Sequence, residues 1–148
     1  ISASSLAGDF VLPRNQKKKL VFIAGGIGVT PFRSMVQYLM DTKDRRSVVL
    51  LYSNKTASEI AYKDIFDKAF SEIGMKTIYA LTNETALIPG TYPGFIDAAL
   101  IAREIPDYKE RLFYISGPHG MVIAFEKTLQ QMGVSRTHIE TDYFPGFA

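Results

Sequence analysis

Leu20-Val21-Phe22-Ile23 offers no polar residue to either side of an extended chain, and this most restricts what the 148-residue sequence can become. A strand with one face in water alternates apolar and polar residues, whereas a continuous apolar run belongs to a strand buried on both faces of a parallel sheet. After the run come Ala24-Gly25-Gly26-Ile27-Gly28-Val29-Thr30-Pro31-Phe32, a glycine turn where a strand feeds a helix. The pattern predicts strands at 20–24, 48–52, 76–81, 112–116 and 138–141, and helices at 31–40, 58–73, 97–103 and 119–132. Strands alternating with helices require parallel pairing through right-handed crossovers. The expected fold is therefore α/β, a doubly wound five-stranded parallel sheet flanked by helices, which binds ligands at the carboxyl ends of its strands.

Within the second helix, Ala61, Ile65, Ala69 and Ile73 supply the buried stripe, and Gly74 ends it where glycine is favoured. The stretch 83–94 contains Pro89, Gly90, Pro93 and Gly94 and reads as a long loop at the carboxyl edge of the third strand.

The chain has one domain's length and can bury a core without staples. It has no cysteine and only His119 and His138, which excludes thiolate metal sites and disfavours a histidine site. A net charge of +2 implies no nucleic-acid partner, and Lys17-Lys18-Lys19 reads as a solvated loop. No apolar run approaches the roughly 20 residues that span a bilayer. The chain begins at Ile1, and the expectation is a processed or excised piece.

Gly26-Ile27-Gly28-Val29-Thr30-Pro31 spells G-x-G-x-x-P, close to the dinucleotide fingerprint but with proline last. Pro31 suits the first position of a helix, Thr30 before it suits the N-cap, and its hydroxyl can meet a phosphate. Gly26 and Gly28 let backbone N–H groups approach a pyrophosphate at the positive end of the helix. Gly28→Glu, adding bulk and a negative charge against the phosphates, should make nucleotide binding collapse and leave thermal stability little changed. A ligand-free strand-to-helix connection is the competing reading. A second such turn is Tyr114-Ile115-Ser116-Gly117-Pro118-His119-Gly120-Met121, and the two share one crevice if their strands are neighbours.

In this order and spacing the motifs resemble the NAD(P)H-binding domain of the ferredoxin-NADP⁺ reductase family. GGIGVTPF is similar to that family's pyrophosphate turn, and SGPHGM to its C-G-P-x-x-M segment at the nicotinamide. Leu50-Leu51-Tyr52-Ser53-Asn54-Lys55 resembles its second strand and adenosine-ribose loop, and Phe144-Pro145-Gly146-Phe147 its flavin-facing aromatic tail. The resemblance implies residues 1–13 as a remnant of a preceding FAD-binding β-barrel and linker, and 14–148 as the NAD(P)H-binding domain. It implies a hydride passing between NAD(P)H and an FAD held by that missing upstream domain. It also implies nucleotide binding by Gly26, Gly28, Thr30, Pro31, Ser53, Asn54, Lys55, Gly117, Pro118, Met121 and Phe147. Ser116, in the place of the family's frequent cysteine, would be the catalytic-site residue nearest the reacting nicotinamide carbon.

The electron acceptor is left open. The tail TDYFPGFA also resembles reductases that serve membrane-embedded carriers, so a membrane-bound flavin or iron–sulfur carrier is a candidate. The expected location is the cytoplasm, or the cytoplasmic face of a membrane reached through segments outside this chain. Coenzyme choice leans to NADPH: Lys55 can pair with a 2′-phosphate, and no carboxylate stands at the end of the second strand to accept from a 2′-hydroxyl. The rivals are a regulatory or interaction module that kept the fold without the hydride role, and a different doubly wound nucleotide binder.

Overall fold

The computed structural model describes residues 10–84 and 87–145. The expected apolar run forms β1 (Leu20–Gly25), buried along its whole length. Its side chains part to opposite faces: Leu20, Phe22 and Ala24 join one core, and Val21 and Ile23 the other. Around it stand β2 (Val48–Asn54), β3 (Lys76–Leu81), β4 (Thr91–Pro93), β5 (Leu112–Pro118) and β6 (Ile139–Phe144). They form one parallel sheet in the order β4-β3-β2-β1-β5-β6.

The sheet therefore has six strands, not five. The extra one is β4, inside the stretch read as a loop, where Tyr79, Ala80 and Leu81 pair with Thr91, Tyr92 and Pro93. Proline and glycine hid it, yet both are tolerated on an edge strand, where an N–H can be spared.

Among the described residues four helices cover the sheet: α1 (Thr30–Asp41), α2 (Lys63–Ile73), α3 (Ala98–Glu104) and α4 (His119–Gln131). Phe32, Val36 and Leu39 of α1 and Phe66, Ala69 and Ile73 of α2 fill one core. Leu100 and Ile101 of α3 and Val122 and Leu129 of α4 fill the other. Asp97 caps α3 by accepting from the Leu100 N–H at 2.9 Å. Gly74 ends α2 at φ 75°, as expected of a left-handed cap.

The second helix starts later than the sequence suggests. Ala57–Glu59 forms a 3-10 turn, and Tyr62 at φ 62° breaks the path before α2. Ala61 is exposed, its N–H donating to the Tyr52 hydroxyl at 3.0 Å, and Phe66 takes the core position assigned to it. The N-terminal stretch from Phe10 packs on the α1 face, its ring 5.6 Å from Phe32 and 5.3 Å from Tyr114. The Tyr114 hydroxyl donates to the Val11 carbonyl at 2.7 Å, and burial pushes its pKa up to about 12. Lys17 and Lys18 are exposed as expected, but Lys19 pairs with Asp107 at 2.6 Å and Glu110 at 3.2 Å.

One buried ion pair holds the loop between α1 and β2. The Arg46 guanidinium donates to Asp44 at 2.6 and 3.1 Å and to the Pro13 carbonyl at 2.7 Å, both side chains being 4% exposed. These bonds hold the Asp44 carboxyl below its ordinary 3.8. A carboxyl whose folded pKa is depressed contributes stability above the unfolded value and loses it as the pH falls through the folded one. Melting temperatures should therefore fall on acidification below about 4 more steeply for the parent than for Asp44→Asn. At neutral pH that variant should be less stable by about 3 kcal/mol, the cost of breaking a buried pair on one side.

Candidate functional site

The connection from β1 crosses to β2 through α1, whereas β5 is reached from β4 through α3 on the opposite face. The chain thus diverges at the neighbouring carboxyl ends of β1 and β5, which are in register from Leu20 opposite Leu112 to Ala24 opposite Ser116. A crevice opens there because no connection covers it.

The glycine turn is tighter than a loop. Gly26–Val29 is a 3-10 turn that runs directly into α1, with Gly26 at φ 53°. Thr30 is not the N-cap: it already has helical geometry, Val29 holds the cap position, and the Thr30 hydroxyl donates to the Ile27 carbonyl at 3.2 Å. The N–H groups that lack helical partners therefore belong to the start of the 3-10 turn, one turn earlier than expected. Pro31 sits in the first turn of α1, where its missing N–H costs nothing, beside Phe10 and Tyr38 on the far side from the crevice.

Each glycine has a different reason. A Cβ on Gly26 would meet open space. One on Gly28 would overlap the Ser116 carbonyl and stand 2.6 Å from its carbon and 2.7 Å from Gly117 Cα. Gly28 is buried and packs backbone to backbone against β5, so it serves the fold as well as any ligand. Cβ atoms on Gly25 or Gly117 would collide with the Met121 thioether, which lies across both strand ends.

The crevice is a cleft of about 710 Å³. Of the sequence-predicted residues it brings together Gly26, Ser53, Asn54, Lys55, Pro118 and Met121. Gly28, Thr30, Pro31, Ser116 and Gly117 stand outside its lining. Ser116 is 2% exposed and lies behind the wall that Pro118 and Met121 present. Phe147 falls outside the described residues, but Phe144 of the same tail lines the cleft with Pro145. The apolar wall also includes Ile27, Phe95, Ile96 and Phe125, which the sequence reading did not single out. Only their positions just past strand ends or one helical turn beyond Met121 could have revealed them. No cluster of three or more histidine, aspartate or glutamate residues able to hold a metal occurs among the described residues.

At the β2 end the wall becomes polar. Asn54 is 7% exposed, and its Nδ2 has no hydrogen-bond partner among the described residues. An unmet buried donor beside a cleft is what a ligand acceptor would satisfy. The loop that follows is fastened by carboxylates: Glu59 accepts from the Lys55 N–H at 3.2 Å and Glu84 from the Ala57 N–H at 2.9 Å. Glu59 lines the cleft beside Lys55. It was missed because the sequence pattern assigned it to the second helix.

A family model described as an oxidoreductase NAD-binding domain matches residues 22–127. The flavohemoprotein of Oceanobacillus iheyensis is 31% identical over 142 residues, covering 95% of this chain and 35% of that protein. Oxidoreductase NAD-binding domain-containing protein 1 of Bos taurus is 32% identical, covering 93% of this chain and 50% of its own length. The chain thus spans about a third to a half of the curated relatives it matches. Among solved structures, the FAD/NAD-binding domain of nitric oxide dioxygenase from Vibrio cholerae superposes with a TM-score of 0.81 at 22% identity, over 93% of this chain and 55% of that one. A ferredoxin reductase of carbazole 1,9a-dioxygenase does so with a TM-score of 0.73 at 28% identity, over 92% and 40%.

The Gly28 contact overturns the expectation that a side chain there would leave stability little changed. Gly28→Ala should destabilise the fold by about 1–3 kcal/mol or more, since the atoms in its way are backbone. Chemical denaturation measures this, and a midpoint equal to that of the parent would show that β5 can yield.

Proposed function

Because the chain belongs to the oxidoreductase NAD-binding domain family, we propose that it is the nucleotide-binding half of a flavin-dependent reductase, presenting NAD(P)H to an FAD held by a preceding domain. The observation that carries this reading is the cleft at the β1–β5 divergence, with a glycine turn at one side and an unmet donor on Asn54 at the other. Its residues fit an extended dinucleotide. Free N–H groups at Gly26 and Ile27 suit a pyrophosphate, and the apolar wall from Pro118 to Phe125 suits a flat ring.

The bound coenzyme supplies the hydride; the chain supplies placement. Gly117 has no side chain to fill the strand end, so Met121 and Pro118 form the surface against which the nicotinamide would rest. Ser116 sets that surface from behind, by its pairing with Ala24 and its carbonyl against Gly28. Phe144 lines the cleft on the side where the flavin would stand; Phe147, outside the described residues, belongs to the proposal through the tail's resemblance alone.

The preceding FAD domain, with residues 1–13 as its remnant and linker, is part of the proposal, and FAD appears in the name of the Vibrio neighbour. No helix among the described residues is long and apolar enough to cross a membrane. A cytoplasmic setting and an acceptor that is a membrane-bound flavin or iron–sulfur carrier remain with the proposal. The sequence leans to NADPH through Lys55.

Gly26→Asp tests the site without breaking the fold. Aspartate tolerates a left-handed backbone, and its side chain would enter open space at the phosphate position. NADH and NADPH titrations by calorimetry should show affinity falling at least about tenfold, from like charge and lost access, while the melting curve stays cooperative. Unchanged affinity would put the pyrophosphate elsewhere. In the chain joined to its flavin domain, Ser116→Val should slow flavin reduction at saturating coenzyme more than it weakens binding. An equal reduction rate in stopped flow removes Ser116 from the site.

A further inference from the structure

We propose that Glu59, together with Asn54, reads the adenosine 2′-hydroxyl and makes this a site for NADH rather than NADPH, reversing the lean that Lys55 suggests. The inference rests on the nucleotide reading above and deepens it.

The geometry places an acceptor and a donor at the same end of the cleft. One Glu59 oxygen is tied to the Lys55 N–H at 3.2 Å, and the other has no partner among the described residues. Asn54 Nδ2 is buried and unpaired on the same stretch of wall. A hydroxyl both donates and accepts, so it satisfies a carboxylate and an amide N–H together. A 2′-phosphate carries about −1.5 to −2 charge and accepts only, so it would leave the carboxylate unmatched and face like charge.

The local balance of charge points the same way. Two carboxylates, Glu59 and Glu84, fasten the loop through backbone N–H groups and are thereby held in place. Against them stands Lys55, exposed and with no side-chain partner among the described residues. To serve a phosphate, Lys55 would first have to lose rotamer freedom and outweigh a fixed anion beside it. The fixed group decides.

ADP-ribose and 2′-phospho-ADP-ribose are suitable probes, since neither needs the flavin domain or the nicotinamide wall. By calorimetry the parent should bind ADP-ribose at least about tenfold more tightly than its 2′-phosphate, the scale of one hydrogen bond to a charged group. Glu59→Gln keeps an oxygen for the Lys55 N–H and should shrink that ratio about tenfold, with an unchanged melting temperature. Lys55→Ala should leave the parent's preference in place. A parent that prefers the 2′-phosphate, or a Glu59→Gln ratio equal to the parent's, overturns the assignment while leaving nucleotide binding intact. If neither probe nor NADH binds the folded parent, the nucleotide reading itself fails, and this inference with it.

Discussion

The close approach of Gly28 to the Ser116-Gly117 backbone is the constraint on which the functional end depends. Because Gly28 has no Cβ, the turn after β1 can lie directly on β5. That contact seats the 3-10 turn Gly26–Val29, which runs directly into α1, at the mouth of the crevice that Gly26 and Ile27 line. It also accounts for the burial of Ser116: the glycine turn is seated on its carbonyl. A larger residue at 28 would lift the turn, move α1 and part the two strand ends together. Fold and site share one glycine.

Two buried polar side chains at opposite ends of the sheet, Arg111 and Asn54, differ in how fully they are satisfied. At the amino end Arg111 is 8% exposed, and its guanidinium reaches Asp107 at 3.0 Å, the Leu20 carbonyl at 3.0 Å and Ser47 Oγ at 2.9 Å. Every nitrogen has a partner, as a purely structural buried cation requires. At the carboxyl end Asn54 Nδ2 lacks one, and Lys55 and one Glu59 oxygen have none among the described residues. A buried donor left unmet on a side chain that lines the cleft is one a ligand acceptor can complete.

β1, β2 and β5 were legible because burial on both faces leaves a nearly continuous apolar run, and β3 and β6 from their place in the alternation of strands and helices. β4 was not, since three residues on an edge carry too little burial to outweigh a proline and a glycine. The start of α2 was misplaced because Ala61, Ile65, Ala69 and Ile73 keep helical spacing, while the left-handed turn at Tyr62 leaves no such trace. Of the site, Gly26, Asn54, Lys55, Pro118 and Met121 were readable from motifs at strand ends. Thr30 was misread because the helix continues backward into a 3-10 turn, a matter of backbone geometry rather than residue type. Glu59 was invisible because its role comes from a loop folding back on Lys55.

Met121 shows how such a cleft can be both packed and open. Gly25 and Gly117 bring no side chains to the two strand ends, so the space between them would be a void. A branched residue there would fill it rigidly and exclude any ring. Methionine fills it with an unbranched, polarisable thioether that has several rotamers of similar energy. The cleft wall at the strand ends is therefore one flexible side chain rather than backbone, and it can reshape by a change of rotamer without a change in fold. The glycine pair and the methionine act as a unit: the glycines make the room, and Met121 fills it with a surface that can adjust.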